Sequence, residues 1–414
     1  MSQVTAPIKP NKPDSQLAPT VPSNEENRQE GIDLHLRLVG LKVCHLSPLE
    51  RLLDARAFSR ESLPSLAYGL RPVIIGPHAR TGFLEDVQFI SIPKSRNRAL
   101  RMFTAIRSVS RALKQRAHVY HIHSPELIPV ALILKVVFKK KVVYDSREDF
   151  PSMMLTKTYL PRILRIPISK SVAVLERVAT RLLDGVITAD SGSLRPLAKV
   201  GKSKKLVFYN FPNLRYFPPT NSIQKSYDLV YRGGLSERAG TFVLFQAMRI
   251  LLDRGISVRL LLFGYTDNQQ TESAIRDTLR GLGIEHLVTL TGVIPHDKMA
   301  ATLSRARIAV CPLQRVPKFM NNIPVKVFES WACGLPVIAT DLPPIRPFFA
   351  ARGLGLLVKP GSAEELADAI EQLLASPDLV TEFGSRARQV VVERYNAGVE
   401  IRKLISFYSK VLSC

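Results

Sequence analysis

No stretch of the 414 residues reaches the roughly 18 consecutive apolar positions that a membrane-spanning helix needs. The nearest run, "LIPVALILKVVFKKK" at 127–141, is interrupted by Lys135 and closed by lysines at 139–141. It reads as a buried helix, with a contact on one membrane face as the other reading. Cysteine is scarce. Cys44, Cys311, Cys333 and Cys414 lie far apart and form no Cys-x-x-Cys pair. That spacing excludes a zinc ribbon and a disulfide framework and suggests the reducing cytosol. Aromatics make up only 7% of the chain. With no RNP-type or zinc-finger pattern, nucleic acid is not expected as a partner. An Asp-x-Asp metal motif is also missing, and no metal site is expected.

Acidic residues are short in one half only. The net charge is +23. Residues 1–37 hold 4 Lys/Arg against 5 Asp/Glu, residues 38–225 hold 32 against 12, and residues 226–414 hold 22 against 18. A basic first half attracts something acidic: an anionic lipid surface or a phosphorylated substrate. Residues 1–37 are polar and proline-rich, resemble no signal peptide, and read as a disordered tail.

From there β-branched runs alternate with helical patterns. Strands are expected in "LVGLKVCHLS", "RPVIIGP", "VQFISIP", "HVYHIHS", "KVVYDS", "GVITAD" and "KLVFYN". Helical spacing fills 98–117 and 162–185. The Pro- and Asn-rich stretch 210–226 breaks the pattern and reads as an interdomain connection. Alternation then resumes with "YDLVYRGG", "VRLLLFG", "VTLTGVI", "IAVCPL", "PVIATD" and "GLLVKP". Ser362 and Glu365 form a capping-box signature ahead of a further helix. Strand–helix alternation on both sides of a linker means two doubly wound α/β domains in tandem. Ligands of such sheets bind beyond the carboxyl ends of the strands, here in a cleft between the domains.

Two segments carry chemistry suited to that cleft. In "YRGGLSERAG" a strand ends in Gly233–Gly234 and a helix follows, so backbone amides can approach an anion, with Arg232 and Arg238 adding charge. In "NNIPVKVFESWACGLPVIATD" the amides Asn321 and Asn322 precede Lys326 and Glu329, in a short helix ahead of a buried strand. A carboxylate there can accept two hydrogen bonds from a ribose diol, and a lysine one turn earlier can meet a phosphate.

Taken with "GLGLLVKPGSAEELADAIEQLL" and "SRARQVVVERYN", this second segment resembles the C-terminal half of retaining family 4 glycosyltransferases of the GT-B fold. The first half agrees. "KVCHLSPLERLLDARAFSRESLPSLAYGL", "HIHSPELIP" and "VVYDSREDFP" resemble bacterial surface-polysaccharide members, so the likeness runs over about residues 39–396.

The resemblance implies a GT-B architecture of two Rossmann-like domains facing across a cleft. Residues 38–215 would form the acceptor-side domain and 227–396 the nucleotide-sugar domain, with a helix at 397–414 packing back towards the first. It implies that Glu329 holds the nucleotide ribose. Gly233, Gly234, Arg238 and Lys326 would bind the diphosphate, and Asn321 and Asn322 would stand near the donor sugar. His123 is implied as the active-site histidine, with Asp54, Arg56 and Glu126 on the acceptor side. The donor is then a nucleotide sugar and the acceptor a glycan or polyprenyl-linked glycan. No cofactor is called for, and the setting is the cytoplasm at the inner face of the plasma membrane. The chain departs from the family pattern at Asn321 (usually Glu), Pro324 (usually a Gly-rich segment), Ala239 (usually basic), Ser124 (usually Asp) and Arg147 (usually His). Rival readings are a sugar-nucleotide epimerase of the same fold, a nucleic-acid-binding protein and a non-catalytic homologue.

Overall fold

The computed structural model describes residues 39–47, 55–77, 80–93, 108–147, 149–156, 160–190, 204–219, 223–266, 268–349 and 353–413. The expected tail at 1–37 lies outside them, as does Asp54.

The first sheet is built from β1 (Lys42–Leu46), β2 (Arg71–Gly76), β3 (Gly82–Leu84), β4 (Val87–Ser91), β5 (Val119–Ile122), β6 (Lys141–Ser146), β7 (Gly185–Thr188) and β8 (Lys205–Val207). Its order is β3-β4-β2-β1-β5-β6-β7-β8. Every pairing is parallel except β3 with β4. The strands are short and apolar because both faces are covered; β5 and β7, for example, are buried along their whole length.

The second sheet comprises β9 (Tyr227–Leu235), β10 (Leu260–Thr266), β11 (Val288–Leu290), β12 (Ala306–Cys311), β13 (Val337–Thr340) and β14 (Gly355–Val358). It is wholly parallel, in the order β11-β10-β9-β12-β13-β14. All thirteen strands expected from the sequence are present. The hairpin strand β3 was not expected, because three residues, two of them exposed, show no period.

Five helices matter to the site. Helix α1 (Arg162–Leu182) crosses from β6 to β7. Helix α2 (Thr241–Asp253) follows β9, and α3 (Val325–Ala332) precedes β13. In α4 (Ala363–Leu374) the Ser362 hydroxyl accepts the Glu365 amide at 3.1 Å. The box stays half made, because Glu365 turns instead to the Lys359 amide, 2.8 Å away. Helix α5 (Ala397–Ser413) returns to the first sheet. Its Ile401, Leu404, Ile405, Phe407 and Tyr408 share a core with Val43, Val119, Val143 and Ile187.

The stretch 210–226 is less slack than its composition suggests. Phe211 and Phe217 are buried in the core of the second domain. Asn213 donates to the Ser59 carbonyl of the first at 2.6 Å. The connection is therefore packed and positions both lobes.

Candidate functional site in the interdomain cleft

A cleft of about 390 Å³ opens where the carboxyl ends of the two sheets face each other. Arg147, Ala189 and Asp190 follow β6 and β7 on one wall. Arg232, Gly233, Gly234, Arg238 and Tyr265 come from the ends of β9 and β10 or the turn after β9, on the other.

The second wall is built by close backbone approach. Gly233 sits opposite Gly264 in the β9–β10 register, and a Cβ on Gly264 would fall 1.7 Å from the Gly233 carbonyl oxygen. At Gly240, φ is +77° and a Cβ would lie 1.7 Å from the Pro312 oxygen, so only glycine lets the loop enter α2 at this point. Lys326 donates to the Tyr231 hydroxyl at 3.2 Å and lies 4.4 Å from that ring's centroid. Tyr231 in turn donates to the Gly234 carbonyl at 2.8 Å. The chain Lys326–Tyr231–Gly234 thus fixes an ammonium beside the glycine turn. Lys326 Nζ stands 3.3 Å from where a Gly233 Cβ would be. Backbone amides beside a fixed cation are chemistry suited to an anion.

Glu329 sits differently from the expectation. Its helix is held by aromatics: Phe328 lies 4.7 Å from Phe211, 5.1 Å from Trp331 and 5.0 Å from Phe348, centroid to centroid. Trp331 donates to the Leu354 carbonyl at 3.0 Å. Glu329 is 1% exposed and does not line the cleft. Its carboxylate is paired with Arg232 and, at 3.5 Å, with Arg60 of the first domain. Arg60 reaches it from the π-helix Ala55–Ser62, and its Nε donates to the Phe211 carbonyl at 3.0 Å. The two arginines satisfy an otherwise costly buried charge.

On the first domain, the site residues read from the sequence form a buried network rather than a cleft surface. Arg56 grips Asp145 with Nε and Nη2 at 2.6 and 2.7 Å, and its Nη1 donates to the Phe208 carbonyl and Asn210. It is 2% exposed and serves as a strut for the wall. The sequence places it on the acceptor side; in the structure its guanidinium is taken up inside the wall by Asp145 and, 3.1 Å from Nε, by Glu61. Burial raises the Asp145 pKa, but Arg56, His123 and Arg147 outweigh it and hold the carboxyl well below its usual range. The carboxylate therefore only accepts. His123 Nδ1–H donates to it at 3.1 Å, and His123 Nε2 accepts from His45 Nδ1 at 2.9 Å. His123 is 1% exposed, and burial, with Arg147 next, brings its pKa down to about 3. A neutral, doubly engaged imidazole inside the wall differs from the cleft-facing histidine expected. Arg147 does face the cleft and lies 3.5 Å from the same Asp145 oxygen.

Of the other sequence candidates, Asn322 lines the cleft, while Asn321 donates to the Pro317 carbonyl and does not. Glu126 is exposed in the turn Pro125–Leu127, away from the cleft lining. The cleft residues Tyr265, Lys318, Asp190 and Asn210 were not singled out from the sequence. Tyr265 carried the one usable signal, standing at the carboxyl end of an apolar strand.

His45, Glu61, His121 and His123 bring four metal-capable atoms within 4.8 Å of one another. The rings are poorly disposed for a shared ion. His121 and His123 stack at 4.3 Å with planes 20° apart, and His45 and His123 lie 16° apart. Imidazole lone pairs lie in the ring plane, so nearly parallel rings do not converge on one point. A hydrogen-bonded network fits better. Into it Tyr408 of α5 contributes a hydroxyl, 2.6 Å from His121 Nδ1.

Residues 214–390 match the family model described as "Glycosyl transferases group 1". This segment is a glycosyl transferases group 1 domain. The group 1 domain thus contains the glycine turn, Lys326 and Glu329.

An exopolysaccharide phosphotransferase of Streptomyces coelicolor is 30% identical over 156 residues, covering 37% of this chain and 16% of that protein. The amylovoran biosynthesis glycosyltransferase AmsK of Erwinia amylovora is 28% identical over 179 residues, 43% of each. The alignments thus span less than half the length of these two relatives. The fold match is wider. Sucrose-phosphate synthase from Thermosynechococcus elongatus superposes with a TM-score of 0.72 at 19% identity, over 90% of this chain and 99% of that one. Anabaena HepE in complex with UDP-glucose gives 0.68 at 14% identity, over 89% and 99%. The architecture is GT-B, with the group 1 domain as its second lobe.

Proposed function

We propose that the protein is a retaining glycosyltransferase that moves a sugar from a nucleotide-sugar donor to a glycan or polyprenyl-linked acceptor in bacterial surface-polysaccharide biosynthesis. One observation carries the reading: within the group 1 domain, the Gly233–Gly234 turn, Lys326 and Arg238 gather at the end of β9, on the floor of an interdomain cleft. AmsK is named for amylovoran biosynthesis, and HepE was solved with UDP-glucose; both names agree with such a donor and product.

Breaking the bond between the sugar's C1 and the phosphate leaves negative charge on the nucleoside diphosphate. Glycine amides and fixed cations stabilise that charge where it develops. The acceptor oxygen attacks C1 from the leaving-group side, and its proton passes to the departing phosphate oxygen, so no protein nucleophile is needed. Donor entry exchanges one set of partners for another. Arg232 leaves Glu329 for the diphosphate, and the carboxylate takes the ribose diol. Closure around the pair excludes water and aligns the reactants. The proposed setting is the cytoplasm, at the inner face of the plasma membrane. Among the described residues no helix is long and apolar enough to cross a membrane.

The test is a panel of UDP-, GDP- and ADP-sugars. One donor should raise the melting temperature and, with a membrane-extracted acceptor, release its nucleoside diphosphate. Binding without turnover in any acceptor mixture would make the chain a non-catalytic homologue. An epimerised donor formed in the absence of acceptor would replace transfer with epimerisation.

A further inference from the structure

Helix α1 has an outward face with an unusual composition. Its only acid is Glu176, which is 2% exposed and points inward, accepting from Tyr144 and Ser146 at 2.7 and 3.1 Å. The exposed face carries Ile163, Ile166, Val174, Val178 and Leu182, between 40% and 84% exposed. Interleaved with them are Arg162, Lys170, Arg177 and Arg181, all exposed. The helix beginning at Ile128 packs beside α1 and ends in the same manner. Val136, Val137 and Phe138 are exposed, and exposed Lys139 follows. Lys135 ties this end to Asp184, just beyond α1, at 2.6 Å. Two neighbouring segments therefore present apolar side chains among cations, and the carboxylates nearest them are turned away from solvent: Glu176 is buried, and Asp184 is taken up by Lys135 and the Val142 amide.

A solvated helix face is polar and mixes both charge signs. This one leaves large aliphatic groups in water, which is unfavourable unless something covers them. A second copy of the chain is a poor cover, since a two-fold contact would set the same cations against each other. An anionic bilayer suits both features at once: acyl chains take the aliphatic groups, and headgroup charge takes the lysines and arginines. We propose that this face of α1, together with residues 136–139, docks on an anionic lipid surface. The inference deepens the proposed function by naming where the enzyme meets the membrane that holds its acceptor, and it rests on that reading for its purpose only.

The test is co-sedimentation of the full chain with phosphatidylcholine vesicles, with and without about one-third phosphatidylglycerol, at low and high salt. Binding should require the anionic lipid and weaken with salt. Each basic side chain near such a surface is worth about fivefold, so Lys170→Glu with Arg177→Glu should weaken binding by roughly 25-fold or more. Val174→Asp, which leaves every cation in place, should also weaken it. Arg276→Glu with Arg280→Glu, on the exposed face of the second-domain helix Gln269–Gly281, should leave it unchanged. Unchanged melting temperature in nucleotide would show that the variants fold and keep the donor site. Equal vesicle binding by wild type and the α1 variants overturns the proposal. So does a dimer that those variants dissolve, or a salt-sensitive affinity for DNA that they abolish. None of these readouts needs turnover, so a failed activity assay would leave the membrane result standing.

Discussion

At Lys326 a single side chain joins two tasks. It holds Tyr231, which holds Gly234, and it offers a charge to the cleft. Lys326→Met keeps much of the aliphatic stem and removes the ammonium. Nucleoside diphosphate affinity should fall by about 10- to 100-fold, the worth of a charge-assisted hydrogen bond. Nucleoside affinity should barely move; titration calorimetry with each compound checks this.

His123 tests the buried network by its response to acid. Its folded pKa, about 3, lies below the ordinary 6.5. Between those values the unfolded chain binds more protons than the folded one, so stability rises with pH and is lost on acidification. One such group costs about 2 kcal/mol between pH 7 and pH 5. In His123→Gln, urea unfolding at the two pH values should show a drop smaller by about that amount. An unchanged drop would place the acid sensitivity elsewhere.

The sequence foretold the cleft residues better than the buried ones, and the reason is range. Gly233, Gly234 and Lys326 are local signals at a strand end and a helix start. Arg56 and His123 looked like cleft residues because nothing nearby in sequence says they are covered. Their partners lie far off: Asp145 is 89 residues from Arg56, and His45 is 78 from His123.

Among the elements, α1 shows how one buried carboxylate can be held by a helix. Burial lifts the Glu176 pKa to about 7, despite hydrogen bonds from Tyr144 and Ser146 that favour the charge. The folded chain therefore binds more protons than the unfolded one between pH 4.5 and 7, and stability falls as pH rises through that window. Glu176→Gln keeps an oxygen to accept both hydroxyls and removes the titration. The variant should be more stable than its parent by about 2–3 kcal/mol at pH 8, with little difference at pH 5. Chemical denaturation at the two pH values decides it. The strands are the other lesson at this scale. Fully apolar runs bounded by turn residues named thirteen of them, because a parallel sheet covered on both faces leaves no other pattern available. The hairpin strand β3 escaped because three residues carry too little pattern to separate a strand from a loop.

Across the whole molecule, the contacts that join the two lobes lie apart from the glycine turn. The glycine turn, Lys326, Arg232 and Arg238 all belong to the second lobe, whereas Arg60 reaches Glu329 from the first. Arg60 also binds the Phe211 carbonyl, and Asn213 binds the Ser59 carbonyl, so the π-helix and the connection form one joint. Arg60→Met should loosen that joint without touching the glycine turn or Lys326 of the proposed diphosphate site. The expected result is a split: donor affinity within about threefold of wild type, but a kcat lower by 10-fold or more, because misaligned reactants lose effective concentration. Small-angle scattering should show a larger radius for the variant in the presence of nucleotide. Equal losses in affinity and kcat would mean instead that Arg60 acts on the donor through Glu329, making the carboxylate's charge balance, rather than lobe alignment, the quantity this arginine controls.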